Sequence, residues 1–373
     1  MINFPDAITP QSFLRDYWQK SALAMPQAMS QQLPQIDADE LAWLATQDDV
    51  ESRLVFTRQS RGRDTYQVEH GPFDEQRLRD LPDENWTLLV NDVEKHLPEL
   101  RAWITAVDFI PDWRVDDLMI SFAAPGGGVG PHRDNYDVFL CQGSGARQWH
   151  VSSDNVEADP DASQDLALLQ PFAGDLLTCS HGDVLYLPPG VAHWGIADDK
   201  CMTYSIGMRA PRLSDLLSSL SGTQEDPFYA DADLATTESV AGFISAEALQ
   251  RARALLQQAG NLPDSELGAL LGRYVTRPKG WLRPEGSAAS FDLQCALQLH
   301  GMARLAWDDA RIYVNGASRG LSPAQRELAA RICRDRRLEC SAIPELLQNV
   351  ELRQLLEWLQ SQGAFVDPAD LTE

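Results

Sequence analysis

The chain has 373 residues, of which 44% are hydrophobic and 23% are charged, with 31 Lys and Arg against 55 Asp and Glu. These are ordinary values for a globular protein long enough for two or three domains. The formal net charge of −24 argues against a protein that wraps nucleic acid and favours a basic partner. The six cysteines form no CxxC pair, so neither a disulfide framework nor a zinc ribbon is indicated.

Targeting and membrane segments are not expected. The first residues have no apolar core behind a basic cluster, and no apolar run reaches the ~18 residues that a membrane helix needs. We therefore expect a cytoplasmic protein that binds neither a membrane nor nucleic acid.

Mixed helical and strand patterns occupy the first hundred residues. The apolar spacing predicts helices over residues 12–23 and 39–46 and a helical stretch over 73–97 that is broken near Pro82, with short strands over 53–57 and 65–68. From about Val115 to Arg209, short apolar and β-branched runs (LMISFAA, YDVFLC, RQWHV, DLLTC, DVLYLP and CMTYSIGM) alternate with turn residues. This alternation predicts a β-sandwich or barrel. The turn QGSGA predicts a hairpin, and the acidic stretch 154–165 predicts a loop.

The pattern after Pro211 is helical. Ser245 is expected to cap a helix that runs to residue 259, and a second helix is expected over residues 265–274. Their apolar face suits a dimer contact, and packing on the chain's own barrel is an equally good alternative. The tail from about Trp281 combines helices over 323–334 and 352–363 with the strand-like run RIYVNG, an arrangement that resembles a winged helix. Because the chain is acidic, we expect a structural or partner-binding module.

Two segments carry the chemistry, GGGVGPHRD (residues 126–134) and GDVLYLPPGVAHW (residues 182–194). His132 and Asp134 are two residues apart, so in an extended chain they project from the same face and can reach one ion. The third ligand is expected to be His193, which follows a strand-like run and a rigid turn. His181 is the rival, in a turn-like stretch before the motif glycine. Two histidines and one carboxylate form the facial triad of non-haem Fe(II) oxygenases.

A phosphate loop is the alternative for the glycines of the first segment. It fails because the sequence has no GK[ST] and no evident strand–loop–helix context.

Both segments resemble cupin motifs. The second has the motif spacing of glycine, five residues, proline, one residue, glycine, two residues and histidine, and the first begins with glycine, five residues and histidine. Cupins that hold manganese or nickel have a second histidine where Asp134 stands, and a glutamate where this chain has Val138 or Phe139. The chain therefore resembles the JmjC branch of the 2-oxoglutarate oxygenases. That resemblance implies an α+β fold around a double-stranded β-helix (a cupin jelly roll).

The resemblance also implies Fe(II) on His132, Asp134 and His193, with 2-oxoglutarate and O2 as co-substrates. The JmjC branch places a basic residue on the strand after HxD to hold the far carboxylate of 2-oxoglutarate, and Arg147 matches that position. A guanidinium suits this role because its fork pairs bidentately with a carboxylate. The hydroxyls of Ser121 and Ser205 are expected to add hydrogen bonds to the same co-substrate.

Four side chains flank the expected mouth of the site: Asp116, Asp117, Tyr136 and Asp137. One interpretation is solvated residues at loop ends. The other is recognition of a guanidinium by carboxylates, with Tyr136 closing over the alkyl stem. The sequence leaves both open.

The whole chain resembles the bacterial ribosomal oxygenases, which include the ribosomal protein arginine hydroxylases. This implies a catalytic domain with N-terminal elements over 1–210, a helical dimerisation region over 211–278 and a winged-helix-like domain over 279–373. It also implies a homodimer that hydroxylates an arginyl residue of a basic large-subunit ribosomal protein (L-sixteen). The alternatives are a histidyl or lysyl hydroxylase, a demethylase of the same class, or a non-catalytic cupin scaffold in ribosome assembly.

Overall fold

The computed structural model describes residues 2–5, 7–60, 63–162, 166–217, 229–231, 242–256, 264–280 and 296–366. The chain divides into two compact units. The first consists of Met1–Val107, Asp116–Met208 and Ala232–Thr236, and the second of Asp108–Val115, Arg209–Asp231 and Thr237–Glu373. Among the described residues, no helix is long and apolar enough to cross a membrane. The three predicted regions remain a prediction.

The first unit is built mainly of strands. Its helices are α1 (Pro10–Asp16), α2 (Ala38–Leu44), α3 (Glu75–Arg79), α4 (Val93–His96) and α5 (Arg101–Thr105). Its strands are β1 (Leu23–Met25), β2 (Ser52–Ser60), β3 (Arg63–His70), β4 (Trp86–Val90), β5 (Val115–Ala123), β6 (His132–Arg133), β7 (Val138–Ser144), β8 (Ala146–Ser152), β9 (Asp175–Ser180), β10 (Val184–Leu187), β11 (Ala192–Ala197) and β12 (Cys201–Met208).

Two sheets enclose the barrel interior. The larger has the order β1-β10-β7-β12-β5-β4-β2-β3, and the smaller has the order β6-β11-β8-β9. Alternate residues of the strands face inward, so β8 buries Arg147, Trp149 and Val151 and leaves the residues between them half-buried. Trp149 and Val151 pack in one apolar cluster with Val138 and Leu140 of β7. The predicted barrel is confirmed as a jelly roll of two sheets.

The predicted hairpin at QGSGA is wrong. A tight turn with Gly145 at φ +62° does join β7 to β8. However, β7 pairs with β10 and β12, whereas β8 pairs with β9 and β11 in the other sheet. Turn residues report the local change of direction, but they carry no information on which strand becomes the neighbour.

The N-terminal region departs from the predicted helices. The first helix ends at Asp16, and after Gln19 (φ +54°) the chain forms β1 against β10. The helix predicted over 73–97 is wrong over its middle, where the fully buried strand β4 lies between β2 and β5. A short run that is apolar throughout has no periodicity to separate a buried strand from a buried helix.

Aromatic side chains cover the outer face of the larger sheet. Phe13 of α1 packs on Phe139 and Tyr186, and the Trp103 ring stacks on Tyr204 at 4.4 Å. The N-terminal elements therefore bury one face of this sheet, while the other face lines the barrel.

The second unit combines helices with small sheets. Its elements are α6 (Leu213–Leu217), α7 (Ala246–Leu256), α8 (Asp264–Thr276), β13 (Leu297–Gln298), β14 (Leu305–Trp307), β15 (Arg311–Val314), β16 (Ala317–Gly320), α9 (Pro323–Asp335), β17 (Arg337–Leu338), α10 (Ile343–Gln348) and α11 (Val350–Ser361). Ser245 caps α7 as predicted, because its Oγ accepts a hydrogen bond from the Ala248 N–H at 3.3 Å. Residues 257–259 of that predicted helix lie outside the described residues.

The apolar face of α7 and α8 is partly covered inside its own unit. Ala248, Ala252 and Leu271 are buried in a cluster that also contains Tyr313 of β15. A second cluster joins β14 and β15 to α9 and α11.

Candidate metal centre and co-substrate pocket

Strand pairing brings the two motif histidines together. His132 of β6 is the register partner of His193 of β11, and their ring centroids are 4.1 Å apart. Asp134 follows two residues after His132, and its Oδ2 lies 3.7 Å from His193 Nε2. One ligand atom from each of the three residues lies within 4.8 Å of the others. Two imidazole nitrogens and one carboxylate oxygen suit a first-row divalent ion.

Main-chain carbonyls fix the orientation of both imidazoles. His132 Nδ1 donates to the Gly130 carbonyl at 2.9 Å, and His193 Nδ1 donates to the Val191 carbonyl at 3.0 Å. Each Nδ1–H is thereby engaged, which leaves the Nε2 lone pair for the metal. Burial, and then the nearby His132, lowers the pKa of His193 to about 4, so this ring is neutral at neutral pH.

The glycine-rich run before His132 is explained by close backbone approach. A β-carbon at Gly127 would overlap the carbonyl oxygen of Trp86, and one at Gly128 would overlap that of Gly195. Gly130 adopts φ +82°, and a β-carbon there would lie 2.8 Å from the Tyr66 ring. These glycines let the chain pass between β4 and β11 and deliver His132 to the centre.

Trp149 lines the space between the metal centre and Arg147. Its ring centroid is 6.1 Å from that of His193, and the Arg147 Cζ lies 5.6 Å from the centroid of the Trp149 ring. A β-carbon at Gly195 would lie 2.6 Å from the indole, so glycine at this position of β11 gives the ring its room. This role of Trp149 was not predicted, although the alternation in RQWHV places Trp149 on the same face as Arg147.

Arg147 is a buried cation with an unusual set of contacts. It is 3% exposed, its Nη2 lies 3.7 Å from the Cys201 sulfur, and its Nε has no hydrogen-bond partner among the described residues. A buried charge is costly unless it is paired and hydrogen-bonded. The site therefore fits an anionic ligand, which is the role that the resemblance implies for this residue.

The two predicted serines line the same interior. Ser121 and Ser205 are each 4% exposed. Ser205 is the register partner of Leu140, which belongs to the barrel cluster. Ser121 shares its face of β5 with Ala123, which packs with Ala197 and Cys201.

Three of the four predicted mouth residues, Asp116, Asp117 and Tyr136, lie near one another, whereas Asp137 lies apart. A β-carbon at Gly207, on the same face of β12 as Ser205, would lie 3.1 Å from Asp117 Oδ1. Tyr136 is 40% exposed, but its hydroxyl is sheltered; loss of hydration first, and the carboxylates of Asp134 and Asp117 second, raise its pKa. Asp117 and Tyr136 therefore both lie near the metal centre.

Asp116 and Asp137 each accept hydrogen bonds from residues outside this group. Asp116 alternates with Asp117 along β5, and its carbonyl accepts a hydrogen bond from Lys95 Nζ at 3.3 Å. Asp137 is fully buried, where it accepts hydrogen bonds from the Tyr186 hydroxyl at 2.6 Å and from Gln19 Nε2 at 2.9 Å. Asp137 thus belongs to the packing of the outer layer. Its predicted contact with substrate is not supported by this geometry.

The rival histidine lies elsewhere. His181 Nδ1 donates to the carbonyl of Gly143, near the end of β7. This contact leaves His193 as the second histidine of the cluster.

Known proteins resemble this chain in sequence and structure. Residues 102–216 match the family model of the JmjC domain, and residues 254–365 match that of the ROXA-like winged helix. The chain is 36% identical to the probable ribosomal oxygenase of Haemophilus influenzae over 264 residues, which are 68% of this chain and 64% of that protein. It is also 36% identical to the ribosomal protein uL16 3-hydroxylase of Escherichia coli over 269 residues, 70% of this chain and 69% of that protein. The alignment thus spans less than two thirds of the length of the first relative.

A solved structure extends the likeness over nearly the whole chain. YcfD, a ribosomal oxygenase from Escherichia coli in complex with cobalt and 2-oxoglutarate, matches with a TM-score of 0.72 and 28% identity, covering 98% of this chain and 99% of that one. The fold predicted from the cupin motifs, with a winged helix after it, is confirmed. The chain belongs to the family of JmjC-domain ribosomal oxygenases.

Proposed function

We propose that this chain is an Fe(II)- and 2-oxoglutarate-dependent oxygenase that hydroxylates an arginyl residue of ribosomal protein uL16. The observation that carries the proposal is a three-residue metal cluster in the same barrel as the buried Arg147, whose Nε meets no hydrogen-bond partner in the part of the chain that the structure describes. Two relatives support it, one named for hydroxylation of uL16 and one solved with cobalt and 2-oxoglutarate.

Different barrel residues bind the iron and the co-substrate. When bound, Fe(II) and 2-oxoglutarate supply the activation of O2 that inserts one oxygen atom into a C–H bond and yields succinate and CO2. His132, Asp134 and His193 hold the ion on one side and leave its other positions for ligands. Arg147 binds the far carboxylate of the co-substrate through its guanidinium fork. The Trp149 indole keeps water from the space between them.

The mouth of the barrel suits a cationic side chain. Asp117 and Tyr136 lie beside the metal centre, where a carboxylate pairs with a guanidinium and an aromatic ring covers its alkyl stem. Ser121 and Ser205 add hydroxyls to the co-substrate pocket. Positioning the target C–H bond next to the metal is the main contribution expected of these side chains.

Mass spectrometry of a uL16 peptide tests the proposal. With Fe(II), 2-oxoglutarate and O2, we expect the mass of one added oxygen on the arginine, and none with the His132→Ala variant. A peptide with lysine in place of that arginine is expected to stay unmodified.

The outcomes separate the alternatives. Oxidation of a histidine or lysine, or loss of a methyl group, would replace the arginine assignment by another activity of the same class. Failure of the wild-type protein to convert 2-oxoglutarate with any basic ribosomal peptide would overturn the enzyme proposal. The remaining alternative would then be a non-catalytic scaffold in ribosome assembly.

We also propose that the protein acts in the cytoplasm as a homodimer through residues 211–278. Leu249 and Leu255 of α7 are only partly buried in their own unit, which supports an apolar contact there. Light scattering after size exclusion measures the mass, and a monomer at micromolar concentration would contradict the dimer.

A further inference from the structure

Small side chains surround the inner end of the pocket beside Arg147. Ala123, Ala197 and Cys201 form a separate apolar cluster and are 0%, 3% and 0% exposed. Ala197 is the register partner of Arg147 on the neighbouring strand. The guanidinium therefore lies near both the Trp149 ring and the small side chain of Cys201.

Cys201 is the member of this cluster that contacts the guanidinium. Its sulfur lies 3.7 Å from Arg147 Nη2, within reach of a weak N–H···S hydrogen bond. A thiol is neutral, so it orients one N–H and leaves the positive charge uncompensated. An acidic residue at this position would instead neutralise the charge that a carboxylate ligand needs.

The backbone holds Cys201 in this place. Cys201 begins β12 beside the turn that joins β7 to β8. A β-carbon on Gly145 of that turn would lie 2.7 Å from the Cys201 β-carbon. The turn therefore packs directly against the start of β12 at Cys201.

We propose that Cys201 is a positioning residue for the co-substrate, which orients Arg147 and, with Ala123 and Ala197, sets the depth of the pocket. The inference rests on the proposed function. It makes Cys201 a determinant of the chain length of the 2-oxo acid that the site accepts.

The two roles of the sulfur predict separate effects. An apolar pocket discriminates against one extra methylene by roughly 10- to 200-fold. Removing the sulfur deepens the pocket and relaxes this limit. Losing one hydrogen bond to Arg147 weakens binding of the normal co-substrate by roughly 3- to 10-fold.

Calorimetric titration of the Mn(II)-loaded protein with 2-oxoglutarate and with 2-oxoadipate, which is one methylene longer, measures both effects without turnover. For Cys201→Ala we expect the Kd for 2-oxoglutarate to rise roughly 3- to 10-fold and the preference over 2-oxoadipate to fall at least about fivefold. Cys201→Ser retains an acceptor and should keep both constants within about twofold of wild type.

Two further variants keep the test decisive. Cys201→Val fills the pocket without a hydrogen-bond acceptor. It should therefore weaken the binding of 2-oxoglutarate without improving the binding of 2-oxoadipate. Cys141→Ala is the matched control, because Cys141 is equally buried but is paired with Tyr204 on the outward face of the same sheet. It should leave both constants unchanged.

Unchanged affinities in Cys201→Ala and Cys201→Val, or an equal shift in Cys141→Ala, would overturn the inference. Turnover offers a second measurement, in which the KM for 2-oxoglutarate rises in Cys201→Ala while kcat stays within about twofold. If the wild-type protein binds no 2-oxoglutarate at all, the proposed function itself fails. If the wild-type protein binds 2-oxoglutarate and the Cys201 variants bind it equally well, only the proposed role of Cys201 is overturned.

Discussion

Asp134 provides the negative charge of the metal cluster. Asp134→Asn keeps the size of the side chain but replaces an anionic oxygen donor by an amide. Since even residues that only orient metal ligands change affinity by 10- to 100-fold, we expect Mn(II) to bind at least about 100-fold more weakly. Calorimetric titration of the metal measures this, with Asp154→Asn on an exposed loop as the control. Affinity within threefold of wild type would contradict the assignment.

His96 provides a pH-dependent contribution to stability. Burial is the largest cause that lowers its pKa below the ordinary 6.5, and no described residue offers its Nε2 a hydrogen bond. The folded state therefore binds this proton less readily than the unfolded state. The free energy of unfolding should fall as the pH drops below about 6.5.

Urea unfolding between pH 5 and 7 in EDTA checks this effect of His96. The variant His96→Leu should lose less stability than wild type over that range, since it has no proton to gain at this position. Between pH 7.5 and 8.5, where imidazole is neutral in both states, the two proteins should show the same slope. An equal slope below pH 6.5 would show that His96 does not contribute.

Short-range spacing made the metal ligands predictable. The side of the sheet on which a residue at the end of a strand lies could not be predicted in this way. His132 and Asp134 lie two residues apart, which fixes a shared face without knowledge of the rest of the fold. Asp137 immediately precedes β7, and only the folded sheet shows that its side chain bonds Tyr186 on the outer layer. Cys201 carries no motif at all, so its contact with Arg147 emerges only from the meeting of β12 with β8.

At the scale of elements, turn chemistry predicted where strands end but not which strands pair. β4 was missed because all five of its residues are buried and the segment lacks alternation. Its position beside β5 depends on strands more than thirty residues away in sequence. Local patterns thus predicted the barrel strands of the middle region, while the pairing order came from long-range packing.

The packing of β11 against β8 gives an element-scale prediction at Gly195. Gly195→Ala places a β-carbon 2.6 Å from the Trp149 ring, so the ring must shift or the strands must separate. We expect the free energy of unfolding to fall by about 1–3 kcal/mol, the usual cost of overpacking. Binding of 2-oxoglutarate should also weaken, because the Trp149 ring lies beside both His193 and Arg147.

Urea unfolding and calorimetric titration measure the two effects of Gly195→Ala. Gly280→Ala is the control, since no atom of a described residue lies within 4 Å of its β-carbon position, and it should unfold as wild type does. Equal stability of both variants would mean that Trp149 has more freedom than its contacts indicate.

Charge is unevenly distributed over the whole molecule. Residues 296–366, which include most of the winged-helix match, contain nine Arg and eight Asp or Glu. The net charge of −24 therefore resides in the other residues of the chain. An acidic excess outside the winged helix attracts a basic peptide towards the part of the chain that holds the metal cluster.

Added salt should therefore affect the two substrates differently. The Debye length falls to about 10 Å at 0.1 M salt and to about 3 Å at 1 M, so added NaCl screens the attraction for a cationic peptide. We expect kcat/KM for a basic uL16 peptide to fall roughly 3- to 10-fold between 20 and 500 mM NaCl. The KM for 2-oxoglutarate should not rise, because a dianion is repelled by the acidic surface and Arg147 is too buried to be screened. A peptide with its lysines replaced by glutamine outside the target should lose most of the salt dependence. If salt instead weakened both substrates equally, the effect would come from the stability of the protein and not from its charge.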